Sequence, residues 1–471
     1  MNRPLYRLVL ALLGGYLLVA LAAGYWSVVR APDLLTRADN PRIVLQRQET
    51  RRGDILDRDG AVLATSVTGA EPGTWQRQYL LPAAAPATGY YSLRHGAGQV
   101  EATYDDVLMG LEGRDASTRF LDNLLHRAQA GRSVRLTLDS GIQQAAEAAL
   151  NGRAGAIVVL GAGSGEILAL ASHPAYDPNE LEAQFESLAA DPAAPLVNRT
   201  TQGSYQPGPV LQPALMAFAL QRGTIAPGEV ITASGLPIDL GISLSCGDIV
   251  GMNLAPDEAL AYACPGYFAE IGRRMEPAEL DRLFETLGFF AAPRLPLAIA
   301  VPERIAVPAD ATGRALAVTG QGALTVTPLH VALVTAALAR EGVMPAPRLV
   351  EAVQLPDDQW ASVLAESGNE IFAPAAAEQV RAWLQAAAAG DGPAGAARVS
   401  GSVIAGHAGV ALSGVQLGVP EGLSWFTGFI ADGRAGEPIV VTVLIEHNSN
   451  ARAAAAVAQA VFRALASPHS P

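Results

Sequence analysis

The sequence predicts a mixed α/β (α+β) protein, in which helices cover a mixed sheet and a small β-rich module precedes the main domain. Three observations support this fold class. Strand-like segments lie near both ends of the stretch 131–466, with helix-like segments between them. Short apolar pairs lie upstream, within 31–130. A long uncharged run at the N-terminus adds one transmembrane helix.

The uncharged run extends from Leu8 to Val29. As a helix it would span about 33 Å, enough for a hydrocarbon core of roughly 30 Å. Arg3 and Arg7 precede it, so the positive-inside rule places the N-terminus in the cytoplasm and the rest of the chain outside. An A-x-A pattern at 20–22 also fits a signal-peptidase site. A cleaved signal peptide is therefore the alternative to an uncleaved anchor.

The predicted organisation has four parts. They are a cytoplasmic tip and transmembrane anchor at 1–30, a pedestal module at 31–130, a large domain at 131–466 and a tail at 467–471. In the pedestal, Arg42 to Ala64 reads as strand-like, and Asp59-Gly60 between apolar pairs predicts a hairpin.

The large domain begins with a predicted strand at 134–138. Asp139 or Ser140 can cap a helix that runs to Leu150. Strands at 155–160 and 166–171 follow, joined by a glycine-rich turn. No helix or lysine follows that turn, so it predicts a hairpin and not a nucleotide-binding loop. Near the C-terminus, strands are predicted at 425–431 and 439–446, followed by an apolar helix at 451–465.

Composition excludes several classes of function. The net charge is −13 and no basic block is present, which argues against nucleic acid as a partner. The seven histidines show no metal-binding spacing, so no metal or other cofactor is predicted. The chain contains no lysine, and all 32 basic residues counted as Lys plus Arg are arginines.

Two cysteines, Cys246 and Cys264, lie in the part placed outside the membrane. An even number of cysteines in an oxidising compartment favours a disulfide. Closing this loop would stabilise the fold by about 3 kcal/mol in the chain-entropy model. Two unpaired buried thiols are the alternative.

Several segments, taken together and in this order, carry a resemblance to a known family: 52–60, 63–64, 89–92, 96–101, 134–139, 142–143, 146–150, 155–160, 165–172, 176–179, 198–199, 319–322, 325–329, 425–429 and Glu446. In these segments the chain resembles class B penicillin-binding proteins, the peptidoglycan D,D-transpeptidase family, of the short-pedestal type. The resemblance implies a penicillin-binding transpeptidase fold on the outer side of the bacterial cytoplasmic membrane. It also implies a role in cell-wall synthesis or division, beside proteins such as a membrane glycosyltransferase and in contact with peptidoglycan.

Three motifs carry catalysis in that family, and this chain departs from each. The first is a serine followed three residues later by a lysine, and Pro209 and Gln212 occupy these positions. Proline has no nucleophile, and glutamine cannot act as a base. In the second motif, Ser-x-Asn, the positions hold Ala263 and Pro265.

The third motif, Lys-Thr-Gly, corresponds to His407, Ala408 and Gly409. On these substitutions we predict a pseudoenzyme with no catalytic residue, which acts as a scaffold or regulator of cell-wall machinery. The alternatives are a noncovalent binder of stem peptide or β-lactam, with a groove at Gly406, His407 and Gly409, or a transpeptidase with relocated catalytic residues.

His407 is the residue that could support a relocated site, as a base for a nearby hydroxyl. Ser204, Ser400, Ser402 and Ser413 are candidates by sequence proximity. The simpler interpretation is a partly exposed histidine that fills space on an edge strand. Glu446 and His447 are interpreted in the same way, as the solvated end of a strand.

Overall fold

In a computed structural model of the chain, the structure describes residues 3–26, 30, 41–112, 130–248, 250–416, 419–433 and 436–467. The predicted tail beyond 467 and the first part of the predicted pedestal, 31–40, lie outside these residues.

The described residues form seventeen strands. They are β1 (Ile55–Leu56), β2 (Val62–Thr68), β3 (Trp75–Tyr79), β4 (Tyr91–Ser92), β5 (Gly96–Ala97), β6 (Val134–Leu136), β7 (Gly155–Gly161), β8 (Ile167–His173), β9 (Ile238–Asp239), β10 (Ser243–Leu244), β11 (Val343–Met344), β12 (Val350–Gln354), β13 (Trp360–Ser362), β14 (Asn369–Glu370), β15 (Ile404–Gln416), β16 (Val419–Ile430) and β17 (Ile439–Ile445).

Fifteen α-helices lie among the described residues. They are α1 (Arg3–Gly24), α2 (Pro41–Glu49), α3 (Ala85–Thr88), α4 (Gln99–Thr103), α5 (Asp105–Leu108), α6 (Ser140–Leu150), α7 (Leu181–Ala190), α8 (Gln212–Arg222), α9 (Pro256–Ala261), α10 (Pro265–Arg274), α11 (Pro277–Thr286), α12 (Ala311–Val318), α13 (Pro328–Ala339), α14 (Pro374–Ala389) and α15 (Ala453–Ala466).

A five-stranded antiparallel sheet forms the centre of the large domain. Its strand order is β15-β16-β17-β7-β8, so β15 is a terminal strand. Helices α6 and α15 pack on one face, where Ile142 and Phe462 are fully buried. Helix α13 covers the other face, and all twelve of its residues are buried. Helices therefore cover both faces of the sheet, and the predicted fold class is confirmed.

A second, six-stranded sheet has the order β13-β12-β6-β1-β2-β3. It is mixed, because β1 pairs with β6 in parallel while the other pairs are antiparallel. The predicted hairpin at Asp59-Gly60 joins β1 and β2, and Gly60 takes a φ of 89°, which glycine adopts without strain. The sheet thus includes strands from both sides of the predicted boundary at 130.

Buried ion pairs hold the N-terminal module together. Glu101 is fully buried and accepts hydrogen bonds from Arg52 Nη2 at 2.7 Å and Arg77 Nε at 2.5 Å. Burial raises the pKa of Glu101, but the two arginines outweigh that effect and hold its pKa below the ordinary value. Arg52 also contacts Asp105 of α5. This network joins β3, α4, α5 and the segment before β1.

The prediction that the module begins with a strand at Arg42 is wrong. Residues Pro41–Glu49 form helix α2, although Ile43 and Val44 favour strands locally. Proline is well suited to the first turn of a helix, and from α2 the side chain of Arg47 reaches Asp105 at 3.1 Å. The strand preference of single residues therefore did not predict the conformation of this segment.

Helix α1 includes one stretch suitable for crossing a membrane. It extends from Tyr6 to Gly24, with a mean hydropathy of 2.0, and none of it is buried within the protein. This apolar helix is consistent with a single-pass membrane anchor. Residues 27–29, at the end of the predicted span, lie outside the described residues.

Candidate functional site

The three altered motif segments meet at the edge of the five-stranded sheet. A Cβ atom placed on Gly409 of β15 would lie 2.6 Å from Cγ of Pro209 and 3.3 Å from Cβ of Ala263. A side chain at position 409 would overlap the proline ring, so glycine is what this packing admits. Segments that are far apart in the sequence therefore share one site.

Pro209 lies in a tight 3-10 turn, Gly208–Leu211, that leads directly into α8. A proline fits there because the first N–H groups of a helix have no partner within it. The indole Nε1 of Trp425 donates to the carbonyl of Gln206 at 3.0 Å and ties this segment to β16. The amide of Gly208 donates to the carbonyl of Gly320 at 2.9 Å. The start of the helix is thus held in place, and position 209 carries no nucleophilic atom.

Ala263 and Pro265 lie where α9 ends and α10 begins. Ala263 is buried and takes a φ of 51°, and Pro265 is the first residue of α10. Neither side chain can donate or accept a hydrogen bond. Between them, Cys264 is bonded to Cys246 in a disulfide, with 4.1 Å between the Cα atoms. The disulfide joins the start of α10 to a loop that forms one wall of the site.

His407 is buried, with 1% of its surface exposed, and its Nε2 lies 3.1 Å from Oε1 of Gln212. Burial lowers the pKa of His407 to about 4, against the opposing effect of the carbonyls of Leu260 and Pro209. The imidazole is therefore neutral near pH 7 and donates to the Gln212 carbonyl oxygen. The prediction of a partly exposed histidine is wrong, because the turn Gly208–Leu211 and helix α14 pack against β15, and Gln212 at the start of α8 supplies a partner.

The residues beside His407 pack within the protein core or line the cavity at this site. Ala408 is 2% exposed and belongs to the apolar cluster under α6 and α15. A Cβ on Gly406 would lie 2.7 Å from the ring of Phe426. Gly409 is the predicted groove residue that lines the cavity at this site, whereas His407 packs beneath it.

A cavity of about 430 Å³ opens beside the middle of β15, at Gly409, Val410 and Leu412. It lies against a terminal strand, the kind of sheet edge to which an extended ligand can add, and the amide of Leu412 there already donates to Gln321 Oε1 at 3.0 Å. The residues that line it are Pro209, Ser243, Leu244, Ser245, Cys246, Gly247, Ala263, Gly409, Val410, Leu412, Ser449, Asn450, Ala451 and Arg452. We call it the Pro209 cleft. It is open, and its size is within the range of ligand-binding pockets.

Part of this lining could not be recognised in the sequence. The lining includes three serines, Ser243, Ser245 and Ser449, and one arginine, Arg452. Arg452 Nη2 donates to Asp248 Oδ2 at 2.7 Å, next to the lining segment 243–247. Arg452 directly precedes α15, and no local pattern in the sequence relates that position to the cleft.

Two sequence profiles match the chain. The penicillin-binding protein transpeptidase domain matches residues 155–467, and the penicillin-binding protein A dimerisation domain matches residues 52–134. Together they cover both the upstream module and the large domain.

Named relatives and solved structures agree with these matches. The peptidoglycan D,D-transpeptidase PbpA of Mycolicibacterium smegmatis is 31% identical over 470 residues, which span 95% of this chain and 94% of the relative. The peptidoglycan D,D-transpeptidase MrdA of Acinetobacter baumannii is 30% identical over 54% of this chain and 41% of its own length. The crystal structure of PBPA from Mycobacterium tuberculosis superposes with a TM-score of 0.80 at 27% identity, over 88% of this chain and 99% of that one.

The prediction that the chain is not an enzyme is contradicted by these relatives, which are named as transpeptidases; the relative from Mycolicibacterium smegmatis matches 95% of the chain. The prediction was wrong because the loss of one catalytic mechanism was taken as the loss of all enzymatic activity. Pro209 and Gln212 exclude attack by a serine–lysine pair at their own positions. They do not exclude acyl transfer by other groups, so the pseudoenzyme prediction is withdrawn.

Proposed function

Because the chain belongs to the penicillin-binding protein transpeptidase family, we propose that it acts in peptidoglycan synthesis and binds the stem peptide in the Pro209 cleft. The observation that carries this proposal is the contact between Gly409, Pro209 and Ala263 beside an open cavity of about 430 Å³. A β-lactam, as a mimic of that peptide, would occupy the same cleft.

Recognition would combine the backbone of β15 with polar side chains. An extended peptide would pair along the edge of β15, where the absence of a side chain at Gly409 lets Pro209 pack against the strand. Arg452 lies in the same lining and shapes the wall, because its guanidinium already donates to Asp248 and to the carbonyls of Asp391 and Gly392. Hydroxyls of Ser243 and Ser449 can exchange hydrogen bonds with ligand amides.

We assign the altered motif positions a role in the shape of this cleft. Pro209 and Ala263 form its floor, and His407 holds Gln212 beneath it through their hydrogen bond. None of these side chains can transfer a proton to a substrate near pH 7, since the pKa of His407 is about 4.

Fluorescent penicillin binding to the full-length protein in detergent tests the proposal. We expect saturable binding, reduced about tenfold by Gly409→Ala, which would push a methyl group into the Pro209 ring. Gly251→Ala is the matched control, because no atom lies within 4 Å of a Cβ at that position. A label that survives denaturation is mapped by mass spectrometry, and attachment inside the cleft also supports binding there. An unlabelled native protein, or equal binding by both variants, would refute the proposal.

We propose that α1 is an uncleaved anchor, with the N-terminus in the cytoplasm and the pedestal at 31–130 and large domain at 131–466 outside. Arg3 and Arg7 at its start and the exposed apolar surface of Tyr6–Gly24 support this orientation. Alkaline phosphatase fused to the C-terminus should be active, because that end is placed outside the membrane. N-terminal sequencing of the mature protein should start at residue 1 or 2. An inactive fusion, or a mature terminus near residue 23, would contradict it.

A role as a scaffold or regulator is the second candidate, and it is compatible with ligand binding. The similarity of residues 52–134 to a dimerisation domain favours this module as a protein-contact surface. We propose that it contacts a membrane glycosyltransferase or a division protein. Chemical cross-linking in membranes, followed by mass spectrometry, should recover cross-links from this module to such a protein, and their absence from this module would count against the role.

A further inference from the structure

Segment 319–322 follows helix α12 and lies against the turn that carries Pro209. It is one of the segments that carry the family resemblance, and it contains none of the three altered motifs. Hydrogen bonds fix its backbone on two sides. The amide of Gln321 donates to the carbonyl of Leu316 at 2.9 Å, and the carbonyl of Gly320 accepts from the amide of Gly208 at 2.9 Å. The segment is thus held in a defined position beside Pro209.

Within this segment, the side chain of Gln321 reaches the terminal strand β15. Gln321 is 8% exposed, and its Oε1 accepts a hydrogen bond from the amide of Leu412 at 3.0 Å. Gly320 takes a φ of 66°, and a Cβ at that position would lie 2.4 Å from the amide nitrogen of Gly208. Glycine therefore permits the close approach that brings Gln321 to β15. A side-chain oxygen takes the place that a carbonyl of a neighbouring strand would occupy.

The amide of Leu412 marks the outer edge of β15. Strand β16 is the neighbour of β15 in the sheet, so an amide that donates to Gln321 faces away from it. Backbone groups alternate along a strand, and the N–H and C=O of Val410 therefore face the same outer edge. Val410 lines the Pro209 cleft together with Leu412. Of these two edge positions, Leu412 already has a hydrogen-bond partner.

The direction of a bound peptide follows from the sheet. Every pair of neighbouring strands in this sheet is antiparallel. A peptide that continued the pattern would run opposite to β15, with its amino-terminal residues towards Leu412. The peptide residue opposite Val410 could exchange two hydrogen bonds with it, but the residue two places nearer the amino end would need the amide of Leu412. Gln321 occupies that position.

We propose that Gln321 is a specificity-determining residue, which stops a peptide from pairing with β15 beyond Val410. The cleft then selects the carboxyl-terminal end of a peptide and does not recognise the backbone towards its amino end. A longer peptide could pair with Leu412 only by displacing Gln321 and leaving a largely buried acceptor without its donor, which offsets the gain. This inference rests on the proposed binding of a peptide in the Pro209 cleft.

Isothermal titration calorimetry on the full-length protein in detergent tests the inference with two peptides. They are acetyl-D-alanyl-D-alanine and the same dipeptide extended at its amino end by two L-alanines. The ratio of their affinities is the readout, because an effect common to both peptides cancels in it. The wild type should bind the two peptides with nearly equal affinity. A gain of about fivefold or more for the longer peptide, the effect of one added hydrogen bond, would overturn the inference.

Variants assign the effect to Gln321. Gln321→Ala frees the amide of Leu412 and should shift the ratio about fivefold towards the longer peptide. Gln321→Glu keeps an oxygen acceptor for that amide and should retain the wild-type ratio. Gln184→Ala, on the exposed surface of α7, is the matched control and should bind both peptides as the wild type does. An unchanged ratio in Gln321→Ala, or the same shift in Gln321→Glu, would reject the proposed role.

Hydrogen exchange at the Leu412 amide tests the structural basis without relying on affinity. In the free protein, the amide should exchange about fivefold faster in Gln321→Ala than in the wild type, since it loses its acceptor. The longer peptide should slow this exchange again in the variant, whereas the dipeptide should not. Equal exchange in both free proteins, or no slowing of exchange in the variant by the longer peptide, would contradict the inference.

The outcomes separate this inference from the proposed function. Failure of the wild type to bind either peptide would refute peptide binding in the cleft and the role of Gln321 with it. Binding of both peptides with the same ratio in the wild type and in Gln321→Ala would refute only the role of Gln321. Thermal unfolding of each variant checks that the fold is retained.

Discussion

Lowering the pH should destabilise this fold through His407, whose buried imidazole is held neutral. Its pKa is about 4 in the folded protein and about 6.5 in an unfolded chain. A depressed pKa means that the unfolded chain binds a proton more readily than the folded one. Stability from this group is therefore complete above pH 6.5 and is lost as the pH falls towards 4.

The size of the effect follows from the two pKa values. At pH 5 the unfolded histidine is almost fully protonated while the folded one is mostly neutral, which costs about 2 kcal/mol of unfolding free energy. At pH 4 the loss reaches about 3 kcal/mol. Since a small domain has about 5–15 kcal/mol in total, the effect is measurable.

Urea denaturation of the full-length protein, monitored by tryptophan fluorescence at pH 7 and pH 5, is the assay. His407→Gln is the matched variant, because it cannot titrate and still offers an amide to Gln212. The wild type should lose about 2 kcal/mol more than the variant between the two pH values. His330, whose pKa is also lowered by burial, contributes to both proteins and cancels. Equal losses would show that His407 is not buried as described.

Two further predictions concern stability. Replacing Glu101 by Gln removes the carboxylate that Arg52 and Arg77 share, leaves Arg77 without an ion-pair partner among the described residues and should cost about 3–5 kcal/mol in urea denaturation. A loss below about 1 kcal/mol would contradict the buried network. Peptide mass spectrometry without reductant should show Cys246 linked to Cys264, and the double Cys→Ser variant should be about 3 kcal/mol less stable. Free thiols in the folded protein, or an equally stable double variant, would refute that prediction.

The sequence was sufficient for elements that depend on local signals. Asp139 was one of two residues predicted to cap the helix, and in the structure its carboxylate accepts from the amide of Ile142 at 3.0 Å. The glycine-rich turn after β7 connects it to β8, and the two strands pair in antiparallel register, so they form the predicted hairpin. Such features need only neighbouring residues, which a sequence displays directly.

Features that depend on distant residues were missed. Pro41–Glu49 is helical although its apolar residues favour a strand, and in the helix Arg47 contacts Asp105, a residue distant in the sequence. The burial of His407 depends on Gln212, which lies on another element. Ser449 and Arg452 contribute to the lining of the cleft from a turn after the last strand. No spacing rule connects these positions.

The error about enzymatic activity had a different origin. The substitutions at Pro209 and Gln212 were identified correctly as residues, and their chemistry is as stated. The step that failed was the extension from one lost mechanism to the whole chain, which its transpeptidase relatives contradict. The motif residues show whether one catalytic mechanism is possible, whereas similarity across the whole chain identifies the family.

Equilibrium binding of a fluorescent peptide ending in D-alanyl-D-alanine tests the central claim most directly, measured by anisotropy on the full-length protein. A peptide-binding cleft beside Gly409 predicts saturable binding that unlabelled penicillin displaces and that Gly409→Ala weakens about tenfold. No saturable binding by the wild-type protein, or an affinity that Gly409→Ala leaves unchanged, would contradict a peptide-binding role for the Pro209 cleft.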